Sequence, residues 1–306
     1  MSNDNSNNKE QIASSKVNRG FSSSVHCSLF LCSLLLALCF FACSSPPKRT
    51  GEVFDTRKDA EEQLQQGTRE ADRGNLTTAM VFINEAKRLA VLTDSSRLLI
   101  RSDLSLGNVL FSLGRTQAAA EAWNKALEEA EFSENREYTA VCRIHIARGK
   151  LLSPGAAESV RDEVSREMAQ IKSEEIYTAF AWTVIGLAEK DMGRHAAAED
   201  AVKQALAIHE KALNFELAAY DWFMIASFRS LSGDSAGALN ALERAIEFDR
   251  RTENSWGLAN DWQAYGDVQK KAGNRAAANA AYARAATIFR ATGNSEAADK
   301  ALARRD

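Results

Sequence analysis

The chain has 306 residues, 38 basic and 41 acidic side chains, and a formal net charge of −3. The two signs are intermixed, so no basic stripe is offered to a phosphate backbone and nucleic acid is excluded as a partner class. With three prolines and an abundance of alanine, leucine and straight-chain charged residues, the expected fold class is all-α, with enough chain to bury a sizeable core.

Residues 1–42 stand apart from the rest. A polar stretch with Lys9, Lys16 and Arg19 precedes an uncharged apolar run from Leu29 to Ala42. A basic start, a short apolar segment and a small final residue predict a secretory signal peptide. The run is shorter than the roughly 18 apolar residues of a membrane-spanning helix. Ala42-Cys43-Ser44-Ser45 then resembles the lipobox of bacterial lipoproteins, with Phe40 where that pattern usually has leucine. The resemblance implies diacylation of Cys43 (palmitate-type chains), membrane attachment through that lipid, and a place in the bacterial cell envelope. Ser44 after the cysteine implies the outer membrane, facing the periplasm. A plain signal peptide and an uncleaved signal anchor are the alternatives. Cys27, Cys32 and Cys39 would depart with the signal, leaving Cys142, which is expected to be a small buried hydrophobe on a helix. Residues 43–54, rich in Ser and Pro and without apolar periodicity, read as a flexible tether.

From Asp55 onward the chain repeats. Glycines placed for inter-helix turns are Gly74, Gly114, Gly155, Gly193, Gly233 and Gly273, about 40 residues apart. Residues suited to capping a helix N-terminus recur in step: Asp55, Ser95, Asn135, Ser173, Asn214, Asn254 and Asn294. Seven residues before the glycine stands a small residue (Gly67, Gly107, Gly186, Ala226, Gly266). Alanines follow it at plus five and plus twelve, with a larger apolar residue at plus nine (Ile83, Trp123, Val202, Leu242, Tyr282). Trp182, Trp222 and Trp262 precede the last three glycines by eleven residues and read as core wedges. Small residues let two antiparallel helices approach, and the large ones fill the space beside them.

This pattern resembles the tetratricopeptide repeat over residues 55–293, with a unit longer than the usual 34 or so and without the usual proline after the second helix. The resemblance implies a right-handed α-solenoid of about six helical hairpins. The third repeat departs most, with Pro154 in its turn and Val160, Val164 and Met168 where alanines are expected. It is either a degenerate copy or a joint in the superhelix. Residues 294–306 start a seventh unit and read as a polar capping helix.

No spacing calls for a cofactor or a metal, no acidic pair is set apart for acid–base work, and no phosphate loop is present, so an enzyme is not expected. His195, just past a turn, and His209, near a helix end, are expected at the surface. By the resemblance, the inner face formed by the first helix of each hairpin binds an extended peptide or a helix. Residues thirteen, ten, six and three before the turn glycine share that face. The candidate contacts are Asn108; Phe180 and Thr183; Tyr220, Phe223 and Ser227; and Gln263, Asp267 and Lys270. Packing between repeats is the alternative for the three aromatic residues. Asn108 matches an asparagine of carboxylate-clamp members of the family, but Leu104 stands where they carry lysine. The expected function is an envelope scaffold or adaptor that holds an envelope protein or peptide in its groove. The alternative is a periplasmic accessory of a solute transporter, binding a small apolar ligand or a solute-binding protein.

Overall fold

The computed structural model describes residues 55–173 and 175–305. The signal segment, Cys43 and the tether lie outside the described residues. The described residues form thirteen α-helices and no strand. In order, the hairpins pair α1 (Asp55–Asp72) with α2 (Leu76–Leu92), α3 (Ser96–Ser112) with α4 (Thr116–Phe132), and α5 (Arg136–Lys150) with α6 (Ala157–Met168). They continue as α7 (Glu175–Asp191) with α8 (His195–Lys211), α9 (Phe215–Leu231) with α10 (Ser235–Arg251), and α11 (Ser255–Lys271) with α12 (Arg275–Ala291). A short α13 (Ser295–Leu302) closes the array.

The hairpin turns follow from the glycines. All six turn glycines sit in the left-handed region, with φ from 73° to 87°, where a Cβ is costly. In the fourth repeat, Gly193 N donates to Lys190 O at 2.8 Å and Arg194 N to Glu189 O at 2.9 Å. These bonds satisfy carbonyls that the end of α7 leaves open.

Within each hairpin the small and large positions interlock. A Cβ added to Gly67 would stand 2.6 Å from Ile83 Cγ1, one on Gly186 2.7 Å from Val202 Cγ2, and one on Gly266 2.5 Å from Tyr282 Cε1. Trp123 crowds Gly107 in the same manner. Ile83, Trp123, Val202, Leu242 and Tyr282 are all buried, as are the alanines beside them. The three ladder tryptophans differ from expectation. Trp182, Trp222 and Trp262 are half-buried and pack against core clusters from the side. The Arg244 guanidinium stands 5.9 Å from the Trp222 ring and that of Arg284 4.8 Å from Trp262. A large amphipathic ring is here shared between core and cation instead of being enclosed.

The repeats join through packed and polar contacts. His209, expected at the surface, is buried, and its Nδ1 lies 2.6 Å from Asp221 Oδ2. The helix end that carries it is covered by α9 of the next repeat, which a reading of one helix does not reveal. Forty residues on, Asp249 and Asp261 occupy the matching positions, and burial raises both carboxyls above their usual range. Asn254 Nδ2 donates to Asp249 Oδ1 at 3.0 Å. Among the described residues no donor is recorded at the buried Oδ2 of Asp261, consistent with a proton shared between the two acids.

The third repeat is a shortened hairpin. Ala147, Val160 and Val164 are buried at its interface, and Cys142 is buried with its thiol pushed up to about 12, chiefly by desolvation. Ser173 does not cap α7. Its backbone N and Oγ donate to Glu137 Oε1 and Oε2 at 2.8 and 2.6 Å, fastening the loop after α6.

First helices of neighbouring repeats also touch one another: α1 with α3, α3 with α5, α5 with α7, and α9 with α11. They therefore lie on the inside of the curve. The curvature brings the first repeat to the sixth: the Cα of Gly74 packs on the indole of Trp256, and a Cβ there would stand 2.7 Å from Trp256 Cδ2. Beside this contact Asp72 is raised to about 7, first by burial and then by Glu216 of α9. Six repeats thus complete about one superhelical turn.

Candidate functional site

The inner face can be traced by side chains that bridge one first helix to the next. Asn108 of α3 places Oδ1 3.0 Å from His145 Nδ1 on α5. The His145 ring stacks on Phe180 of α7, with centroids 4.1 Å apart and planes inclined by 20°. Arg148, one turn along α5, lies over the Phe111 ring at 4.6 Å and the Phe180 ring at 5.7 Å. Four residues from three repeats therefore form a continuous wall around one guanidinium.

His145 is buried and its imidazole is pulled down to about 3, mainly by desolvation with Arg148 adding to it. It is neutral at any ordinary pH, so one nitrogen carries a proton and the other does not. The Arg148 guanidinium is also held below its usual value by desolvation, an effect partly opposed by Tyr220. The electrostatic coupling of Arg148 on α5 to Tyr220 on α9 spans the intervening α7.

Next along the wall, Tyr220 and Phe223 stack with centroids 6.5 Å apart and planes 15° from parallel. Tyr220 is 48% exposed, unusually open for a tyrosine set inside a curve. Its phenol is nevertheless raised above the usual range, with desolvation the largest cause. Ser227 is exposed and Gln263 half-buried further along.

Three candidate contacts are otherwise engaged. Thr183 is buried and its Oγ1 donates to Ala179 O at 3.1 Å, so its hydroxyl serves its own helix. Asp267 accepts from Tyr282 Oη at 2.8 Å and from Arg304 Nη1 at 2.7 Å. Lys270 Nζ donates to Arg304 O at 2.8 Å. Counting along α11 puts these last two on the inner side, but the segment after α13 returns across the sixth repeat and meets them there.

Counting missed His145 and Arg148. The turn of the third repeat is longer, so offsets from Gly155 go out of phase. A signal was present nonetheless: Arg148 stands 40 residues after Asn108 and 39 before Leu187, on the same rung of the ladder. Among the described residues no group of His, Cys, Asp or Glu side chains is arranged to hold a metal ion. No helix among them is long and apolar enough to cross a membrane.

No protein-family model and no curated protein matches the sequence. Solved structures do match in fold. The chain resembles a Rap protein complexed with competence and sporulation factor (TM-score 0.56, 18% identity, covering 80% of this chain and 73% of that one). It resembles BtubC from P. vanneervenii (TM-score 0.52, 17% identity, 76% and 92% covered). It also resembles a chain of the APC/C hetero-tetramer Cut9-Hcn1 (TM-score 0.53, 13% identity, 80% covered), of which it spans 42%. The protein has a tetratricopeptide-like solenoid fold.

Proposed function

We propose that this chain is a bacterial envelope lipoprotein that works as a protein-binding scaffold, not as an enzyme, holding a partner segment along the inner face of its solenoid. The observation that carries the reading is the aromatic wall of Phe180, Tyr220 and Phe223 on first helices, with Tyr220 left 48% exposed beside Ser227. Part-exposed aromatics next to hydrogen-bonding groups are the composition of binding hot spots. The wall includes Asn108, Arg148 and Gln263 as well as rings, which favours a peptide over a purely apolar small molecule. The Rap protein of similar fold is complexed with competence and sporulation factor. Membrane attachment rests on Cys43 and the segment before it.

A photocrosslinking phenylalanine analogue at position 223 is expected to yield a discrete adduct in detergent-solubilised bacterial membranes. The same analogue at Phe132, 84% exposed at the end of α4, is expected to yield none. Tyr220→Ala should abolish the adduct without changing the melting transition. Equal adducts from both positions, or an adduct insensitive to Tyr220→Ala, would overturn the groove reading. Acyl labelling that survives Cys43→Ser would overturn the lipid-anchor reading.

A further inference from the structure

Several charges along the inner face have a partner, and Arg148 is a cation there that does not. Arg101 is bonded to Glu61, Lys190 lies 3.2 Å from Asp191, and Asp267 is met by Arg304. Arg148 makes no side-chain hydrogen bond or ion pair among the described residues; its recorded neighbours are the faces of Phe111 and Phe180. Its guanidinium cannot shed its proton, so the free protein holds a partly desolvated cation with no counter-charge. Such a group is costly until an anion arrives.

The surroundings define which anion. His145 beside it is neutral, so the rung carries one formal positive charge, which suits a singly charged carboxylate better than a phosphate dianion. The guanidinium fork accepts a carboxylate through two parallel N–H···O bonds. Ring faces at 4.6 and 5.7 Å form apolar walls on two sides of the cation. The Tyr220 hydroxyl, with no protein acceptor among the described residues, is a further donor within electrostatic range of Arg148.

Position along the groove decides between a chain end and an internal side chain. Arg148 belongs to the third of six hairpins. Asn108 and Phe111 lie on one side of it, and Tyr220, Phe223 and Ser227 on the other. A bound segment that uses the wall continues past Arg148 in both directions.

From this arrangement we infer that Arg148 is the specificity residue of the groove, pairing with an Asp or Glu side chain inside an extended partner segment whose flanking residues are apolar. The inference rests on the inner face being the partner-binding surface. It adds which chemical group that surface selects.

The test uses the full chain in detergent and two pools of acetylated, amidated heptapeptides. The pools share the same randomised apolar and small polar flanks and differ only in a central Glu or Gln. A net charge-assisted hydrogen bond predicts retention of the Glu pool about tenfold over the Gln pool on immobilised protein. Arg148→Gln is expected to remove that preference, and Arg148→Lys to keep part of it, since lysine retains the charge and loses the fork. Equal retention of the two pools by the unaltered chain overturns the inference, whatever the variants do. A preference that survives Arg148→Gln also overturns it, because the acid is then read elsewhere. If neither pool is retained while the crosslink at position 223 persists, the acidic-segment inference fails and the groove reading stands. Loss of both results removes the groove reading itself.

Discussion

At the scale of single residues, the backbone asks for the left-handed conformation in two places in every repeat but the third, and the sequence signals only one of them. Hairpin turns use glycine throughout. The turns between repeats place Asp94, Glu134, Leu213 and Glu253 at φ of 46° to 56°, and only the last, Gly293, has the residue suited to it. An L-residue there costs roughly 1–2 kcal/mol, which packing against the next helix offsets. Leu213 is 70% exposed, so its side chain returns little in compensation. Leu213→Gly is therefore expected to stabilise the protein by about 0.5–1 kcal/mol after the entropy that glycine adds to the unfolded chain. Urea unfolding at constant m-value checks this, and a lower midpoint would count against the strain argument.

At the scale of elements, each helix buries apolar surface that a neighbour completes, and α12 shows what happens at the end of the array. Its Phe289, Ala285 and Ala286 are buried with Ala298 and Ala301 of α13. Leu302 and the half-buried Trp256 and Trp262 border the same cluster. A solenoid terminus without such a cover leaves an apolar face in water. A chain ending at Thr292 should bind more hydrophobic dye and melt lower, by about 2–4 °C for each kcal/mol of packing lost. The segment after α13 adds a second tie: Arg304 bonds the Asp267 carboxylate and is itself held through its carbonyl by Lys270. A truncated chain with unaltered melting and dye binding would show that α13 does not cap the core.

At the scale of the whole molecule, about one superhelical turn brings Gly74 against Trp256, and Asp72 is half-buried near that contact. With its pKa raised to about 7, Asp72 binds a proton in the folded state that it releases in the unfolded state above about pH 4. Its contribution is thus most favourable at low pH and declines as pH rises from about 4 to about 7, remaining at its lower value above that. Asp249 and Asp261, also raised, act in the same direction. Asp72→Asn stays neutral at every pH. Its melting temperature should exceed that of the unaltered protein at about pH 8, and the difference should shrink toward about pH 5. A pH-independent difference would mean that the first and sixth repeats do not enclose this carboxyl in solution.

The hairpin array was written in the sequence because it is a local property. Gly186 opposite Val202, or Ala198 beside them, requires only two helices and one turn, and those lie within about 20 residues. The place of Phe180, Tyr220 and Phe223 on first helices was legible for the same reason, since the offset from the turn glycine carries helical phase; that Phe180 and Phe223 also pack against core clusters was not. What failed were features set by distant or out-of-phase chain. His209 is buried by the next repeat, Lys270 and Asp267 are met by a segment more than 30 residues later, and Arg148 was hidden by a longer turn. The sequence by itself determined the repeating unit, because the packing of small against large side chains within a hairpin is specified by neighbours along the chain. Only the tertiary structure decided which charges are neutralised and which remain open, because that depends on how small rotations between repeats accumulate. Their sum brings Gly74 to Trp256 and leaves Arg148 on the inner wall without a counter-charge.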